Sequence, residues 1–113
     1  MLTKEALVNY GANYDTGFER CMKNEDFYFK LIKMAVQDGK FADLNEAIAA
    51  NDLDKAFEAA HALKGTTGNL SLNPIFLPMS EMTELLRSRT EMDYSEYLKV
   101  INDKLEELKA ICG

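Results

Sequence analysis

The sequence predicts an all-α fold, an antiparallel four-helix bundle with short N-terminal capping helices, in a single domain covering residues 1–113. Three observations carry this. Only two prolines and six glycines interrupt the 113 residues, and there are no β-branched runs. Apolar residues recur at spacings of three and four almost throughout, the period of an amphipathic helix. Four long helical stretches are separated by short connections rich in capping residues, which forces neighbouring helices to run antiparallel.

Each element follows from local chemistry. Thr3 is placed to cap a first short helix reaching Tyr10, and Gly11-Ala12-Asn13-Tyr14 breaks it. Asp15 is expected to cap a second short helix ending near Lys23. Asn24 caps a longer stretch with Glu25 and Asp26 in its first turn, where carboxylates meet the positive helix end. That stretch carries Ile32, Ala35 and Val36, passes Gly39, and continues to Leu44, Ala47 and Ile48; Gly39 either bends or splits it. Asp52 starts a helix whose apolar stripe is Leu53, Ala56, Phe57, Ala60, Leu63, Thr67 and Leu70. Asn73 is expected to cap the next, with Pro74 at the favoured first position. Pro78 removes a helical hydrogen bond and predicts a kink or a late start there. Asp93 and Glu96 match a capping box before a last helix, where Leu98, Ile101, Leu105, Leu108 and Cys112 form a 3-4-3-4 seam.

The most informative stretch is Ala60-His61-Ala62-Leu63-Lys64-Gly65-Thr66-Thr67-Gly68-Asn69, which holds the only histidine. It reads as helix interior, yet each interior glycine costs about 1 kcal/mol relative to alanine. At 3.6 residues per turn, Lys64, Gly65 and Gly68 share one stripe with His61. His61 lies about 100° round from Ala60, at the edge of the apolar stripe, so it should reach solvent from an anchored helix. A free imidazole, with a pKa of about 6.5, is a nucleophile near neutral pH. An ammonium one turn away offsets the charge of an anion placed on the ring. Bare backbone at two positions lets a large partner come close.

These residues resemble a known family. His61-x-Leu63-Lys64-Gly65 is similar to the core motif of histidine-containing phosphotransfer (HPt) domains, the carriers of multistep phosphorelays. Asn51-Asp52-Leu53-Asp54 resembles the turn before the family's histidine helix. Gly17-Phe18-x-Arg20 with Glu25-x-x-Tyr28 resembles its N-terminal region, and the likeness covers about residues 15 to 90. The resemblance implies phosphorylation of His61, phosphate support by Lys64, and a close-approach docking surface at Gly65 and Gly68. It implies response-regulator receiver domains and a hybrid sensor histidine kinase as partners, with the metal and acidic pocket on the receiver. The sequence departs from the family pattern at Ser71, where a glycine is usual, and at Thr83, where a longer polar side chain usually faces the imidazole; Glu84 or Asn69 are candidates to replace it.

No Walker-type glycine loop, kinase loop or clustered carboxylates suited to magnesium is present, so no ATP-dependent kinase activity, cofactor or metal is expected. The net charge of −6 argues against nucleic acid and anionic membranes. No apolar stretch follows Met1-Leu2-Thr3-Lys4-Glu5 and none approaches a membrane span, so a cytoplasmic protein is expected. Cys21 and Cys112 lack metal-ligand spacing and read as free thiols. Three functions remain open: a relay carrier, favoured by a chain ending at Gly113 without a linker; the phosphoacceptor domain of a chemotaxis-type histidine kinase; and a non-catalytic bundle that binds receivers.

Overall fold

Side chains at the helix starts settle much of the architecture. The computed structural model describes residues 1–113 and contains seven helices and no strand. They are α1 (Lys4–Tyr10), α2 (Tyr14–Arg20), α3 (Glu25–Ala35), α4 (Lys40–Ala49), α5 (Leu53–Asn69), α6 (Asn73–Arg87) and α7 (Ser95–Cys112). Thr3, Asn24 and Asp52 cap α1, α3 and α5 as expected, each side chain accepting from a backbone N–H three residues on. The all-helical class therefore follows the sequence pattern closely.

Three boundaries differ from expectation, and the one left open at Gly39 resolves as a split. Asn13, not Asp15, caps α2, its side chain accepting from the Thr16 N–H at 3.3 Å. The long third stretch is split rather than bent. α3 ends at Ala35, and Asp38 accepts from the Lys40 N–H at 2.9 Å to restart the chain as α4. Gly39 sits at φ −63°, a value open to any residue, so the short-range bond of Asp38 makes the break rather than glycine. Asn73 lies inside α6, preceded by Leu72, which gives no side-chain cap. Pro74 occupies the first turn and the helix starts on time, carrying Pro78 within it through to Arg87. The capping box before α7 does not form. Tyr94 takes the cap position without a side-chain bond, and Asp93 instead accepts from Ser95 N–H at 2.9 Å and its hydroxyl at 2.5 Å.

The four later helices pack in chain order, α4 on α5, α5 on α6 and α6 on α7. A reciprocal amide pair, Asn45 with Asn102 at 3.3 and 3.1 Å, ties α7 back to α4. One apolar cluster runs from Leu2 to Leu108. From α5 it takes Ala56, Ala60 and Leu63; from α6 Ile75, Met79, Met82 and Leu86; from α7 Ile101, Leu105 and Leu108. Burying side chains of this size contributes about 1.5–3 kcal/mol each before chain entropy is set against it.

The N-terminal helices brace the far end of α5. The last carbonyls of a helix have no partner within it. Arg20 Nη1 donates to Gly68 O at 2.6 Å, and the buried Tyr28 hydroxyl donates to Leu70 O at 2.7 Å. Tyr28 fills the space beside Gly17, where any Cβ would overlap its phenol. Ser71 adopts a left-handed φ of 56°, a conformation that suits glycine better. Its hydroxyl offsets that cost, pairing with Thr16 Oγ1 at 2.5 Å and accepting from Arg20 at 3.2 Å, while its carbonyl accepts from the Asn13 N–H at 3.0 Å. The departure at Ser71 is thus a polar tie between α2 and the α5–α6 turn. No helix is long and apolar enough to cross a membrane.

Candidate functional site

α5 carries the site, and its buried face holds it still. Ala60 is fully buried, while His61, the next residue, is exposed. The imidazole lies against the Phe57 ring one turn back, centroids 5.5 Å apart and planes at 19°. Stacking orients the ring of this exposed residue. Lys64 follows one turn on, partly exposed, and none of the chain's ion pairs uses it. Its ammonium is therefore available to an incoming anion.

The two glycines of the stripe differ. A Cβ built on Gly65 meets nothing within 4 Å, so the backbone beside His61 is bare and open. A Cβ on Gly68 would come within 2.8 Å of the Phe76 ring from α6. The expectation of open backbone at both positions therefore holds in the geometry of Gly65 alone. At Gly68 the missing side chain makes room for helix packing, and its carbonyl is already taken by Arg20.

None of the residues considered for orienting the imidazole hydrogen-bonds to it. Thr83 is fully buried and its hydroxyl donates to Met79 O at 2.6 Å. Asn69 lies on the α3 side, in a shallow groove with Leu31 and Met34. Glu84 pairs with Arg87 at 2.9 Å. That hydrogen bond, then the Arg87 charge, and to a smaller extent the charges of Lys64 and His61, hold the Glu84 carboxyl below the usual carboxylate range.

Sequence reasoning missed the arginines. The guanidiniums of Arg87 and Arg89 lie 5.1 and 4.9 Å from the Phe57 centroid, a cation–π cluster on the ring that supports His61. Phe57 lies four residues before His61, so its contact was readable from helix geometry. The arginines arrive from the end of α6 and the following turn, and no local pattern points to them. No group of three or more His, Cys, Asp or Glu side chains is gathered that would hold a metal ion.

An exposed, stacked histidine between a free lysine and bare backbone leaves room and positive charge for a large anionic group. The Hpt domain family matches residues 37–111, which include the end of the α3–α4 turn and nearly all of α4 to α7. The chain belongs to the Hpt family. Hpt domains carry out histidine phosphotransfer in phosphorelays, where they meet receiver domains and kinases and act as phosphocarriers rather than as kinases. No match was found among curated proteins or among solved structures.

Proposed function

We propose that this Hpt protein is a phosphocarrier of a multistep two-component relay in the cytoplasm. Residues 1–113 act as one domain, with α4 to α7 as an antiparallel four-helix bundle that presents His61. The imidazole takes a phosphoryl group from the aspartate of one receiver domain, supplied by a hybrid sensor histidine kinase, and passes it to the aspartate of a second. The N–P bond forms as the acyl-phosphate P–O bond breaks, the aspartyl carboxylate keeping the electron pair and the second ring nitrogen releasing its proton to solvent. The return step reverses this. Lys64 offsets charge on the bound phosphoryl group, and the bare backbone at Gly65 admits the receiver's acidic pocket for in-line transfer.

The observation that supports this reading most is the exposed His61 ring, oriented by Phe57 and flanked by an unpaired Lys64 and an open Gly65. Incubation with a panel of phosphorylated receivers should give acid-labile, base-stable label. His61→Gln should lose that label while its helical circular dichroism is kept. Undiminished labelling of the variant would overturn the assignment.

A further inference from the structure

The two arginines beside Phe57 are held very differently. Arg89 is fastened three ways: Nε donates to Asp54 Oδ1 at 2.6 Å, and Nη1 donates to Leu86 O at 2.8 Å and Arg87 O at 3.3 Å. It is a fixed cation of the α6–α7 turn. Arg87 has one side-chain hydrogen bond, to Glu84, and both partners are half-exposed, at 50% and 59%. An exposed pair of this kind is weak and opens readily. Glu84 also lies within electrostatic reach of Lys64 and His61, so this carboxylate stands among the charges that a phosphoryl group on His61 would meet.

We propose that Glu84 is a positioning residue that acts through Arg87, as a displaceable counter-ion. It holds Arg87 while His61 is bare, and a phosphoryl group on His61 draws Arg87 away from it. The inference rests on the phosphocarrier reading. A phosphoryl group brings close to two negative charges and three acceptor oxygens, against one charge on Glu84. The planar guanidinium matches phosphate better than a single carboxylate contact. The Phe57 ring, stacked on the imidazole and contacted by Arg87, gives the guanidinium an apolar surface to move across while it keeps its cation–π contact. When the phosphoryl group leaves, Glu84 takes Arg87 back. The competition keeps the phosphorylated ring from becoming a trap, which suits a carrier that must give its group away.

Phosphoramidate, a small phosphodonor, separates this from receiver docking. The wild type, Glu84→Gln, Arg87→Gln, Arg87→Lys and the Glu84→Gln/Arg87→Gln double variant are labelled, and the rate of labelling and the half-life of phosphohistidine are followed. Equal helical circular dichroism and melting confirm that these surface variants fold. Glu84→Gln should lengthen the half-life about fivefold, the scale of one exposed charge pair. Arg87→Gln should shorten it, Arg87→Lys should restore part of the loss, and Glu84→Gln should have little effect in the Arg87→Gln background. An unchanged half-life for Glu84→Gln, or the same factor in both backgrounds, overturns the inference alone. Failure of the wild type and its variants to take any label on His61 overturns the phosphocarrier reading with it.

Discussion

Gly65 and Gly68 lie three residues apart on one helix face, yet alanine should act on them in opposite directions. At Gly65 the added methyl enters open space, so only backbone propensity changes, and the helix gains up to about 1 kcal/mol. Gly68→Ala has the same propensity gain, but its Cβ lies 2.8 Å from the Phe76 ring, which must move. Overpacking of this kind costs about 1–3 kcal/mol, leaving a net loss of about 0–2 kcal/mol. With an unfolding entropy of about 2.1 cal/mol/K per residue, 113 residues give about 0.24 kcal/mol/K, so 1 kcal/mol moves Tm by about 4 °C. Gly65→Ala should raise Tm by up to about 4 °C and Gly68→Ala should lower it by up to about 8 °C. Differential scanning calorimetry of both variants and of Gly68→Ala/Phe76→Leu tests this, the smaller partner recovering most of the loss. Equal stabilisation by both alanines would refute the assignment of Gly68 to packing. Transfer assays complete the contrast: Gly65→Gln should slow transfer from a receiver strongly, and a wild-type rate there would refute the close approach.

Lys64→Ala should leave Tm almost unchanged, slow phosphotransfer and shorten the life of phosphohistidine; Lys64→Arg should recover part, and the differences should shrink as salt is raised. A time course at two ionic strengths that showed no difference from wild type would make Lys64 a bystander. Tyr28→Phe should cost about 1–3 kcal/mol in urea unfolding, because it strips the buried Leu70 carbonyl of its 2.7 Å donor. The phenols also set an alkaline limit. Burial first, then nearby charges, raises Tyr28 from 10.0 to about 12, and burial with the Glu25 hydrogen bond does the same for Tyr14. Their neutral forms are favoured by the fold, so that stability is complete below pH 10.0 and is lost as pH rises through about 12. Melting curves from neutral pH to pH 12 should show the decline begin near 10, and a flat profile through 12 would contradict the buried phenols.

What was legible in the sequence was local. Thr3, Asn24 and Asp52 announce helix starts because the bond they make spans three residues. The α5 stripe was readable because a helix on a core must repeat, and Ala56, Ala60, Leu63, Thr67 and Leu70 are all buried, with Leu53 and Phe57 partly so. His61, Lys64 and Gly65 share a face for the same reason. The failures are of two kinds. Near Asn13 and Asp93, two short-range bonding options compete, and a side chain's choice between them is settled by packing. At Arg87, Arg89, Phe76 and Tyr28 the decisive partner comes from another helix, beyond the reach of periodicity. The serine at position 71 belongs to the second kind: a substitution for glycine makes sense only once Thr16 and Arg20 are seen beside it.

The brace formed by α2 and α3 bears on how the molecule can be cut and rejoined. The family match begins at residue 37, after all of the side chains that finish α5 from outside. A fusion carrying the matched segment alone would leave Ser71 in its left-handed turn without a hydroxyl partner, and would remove Leu2, Leu7, Tyr28 and Ile32 from the shared core. α1 is stitched to the opposite end of the chain as well, Tyr10 donating to Lys104 O at 2.8 Å. Resemblance and foldability therefore have different borders here. Anyone transplanting this domain into another protein should place the junction ahead of Leu2.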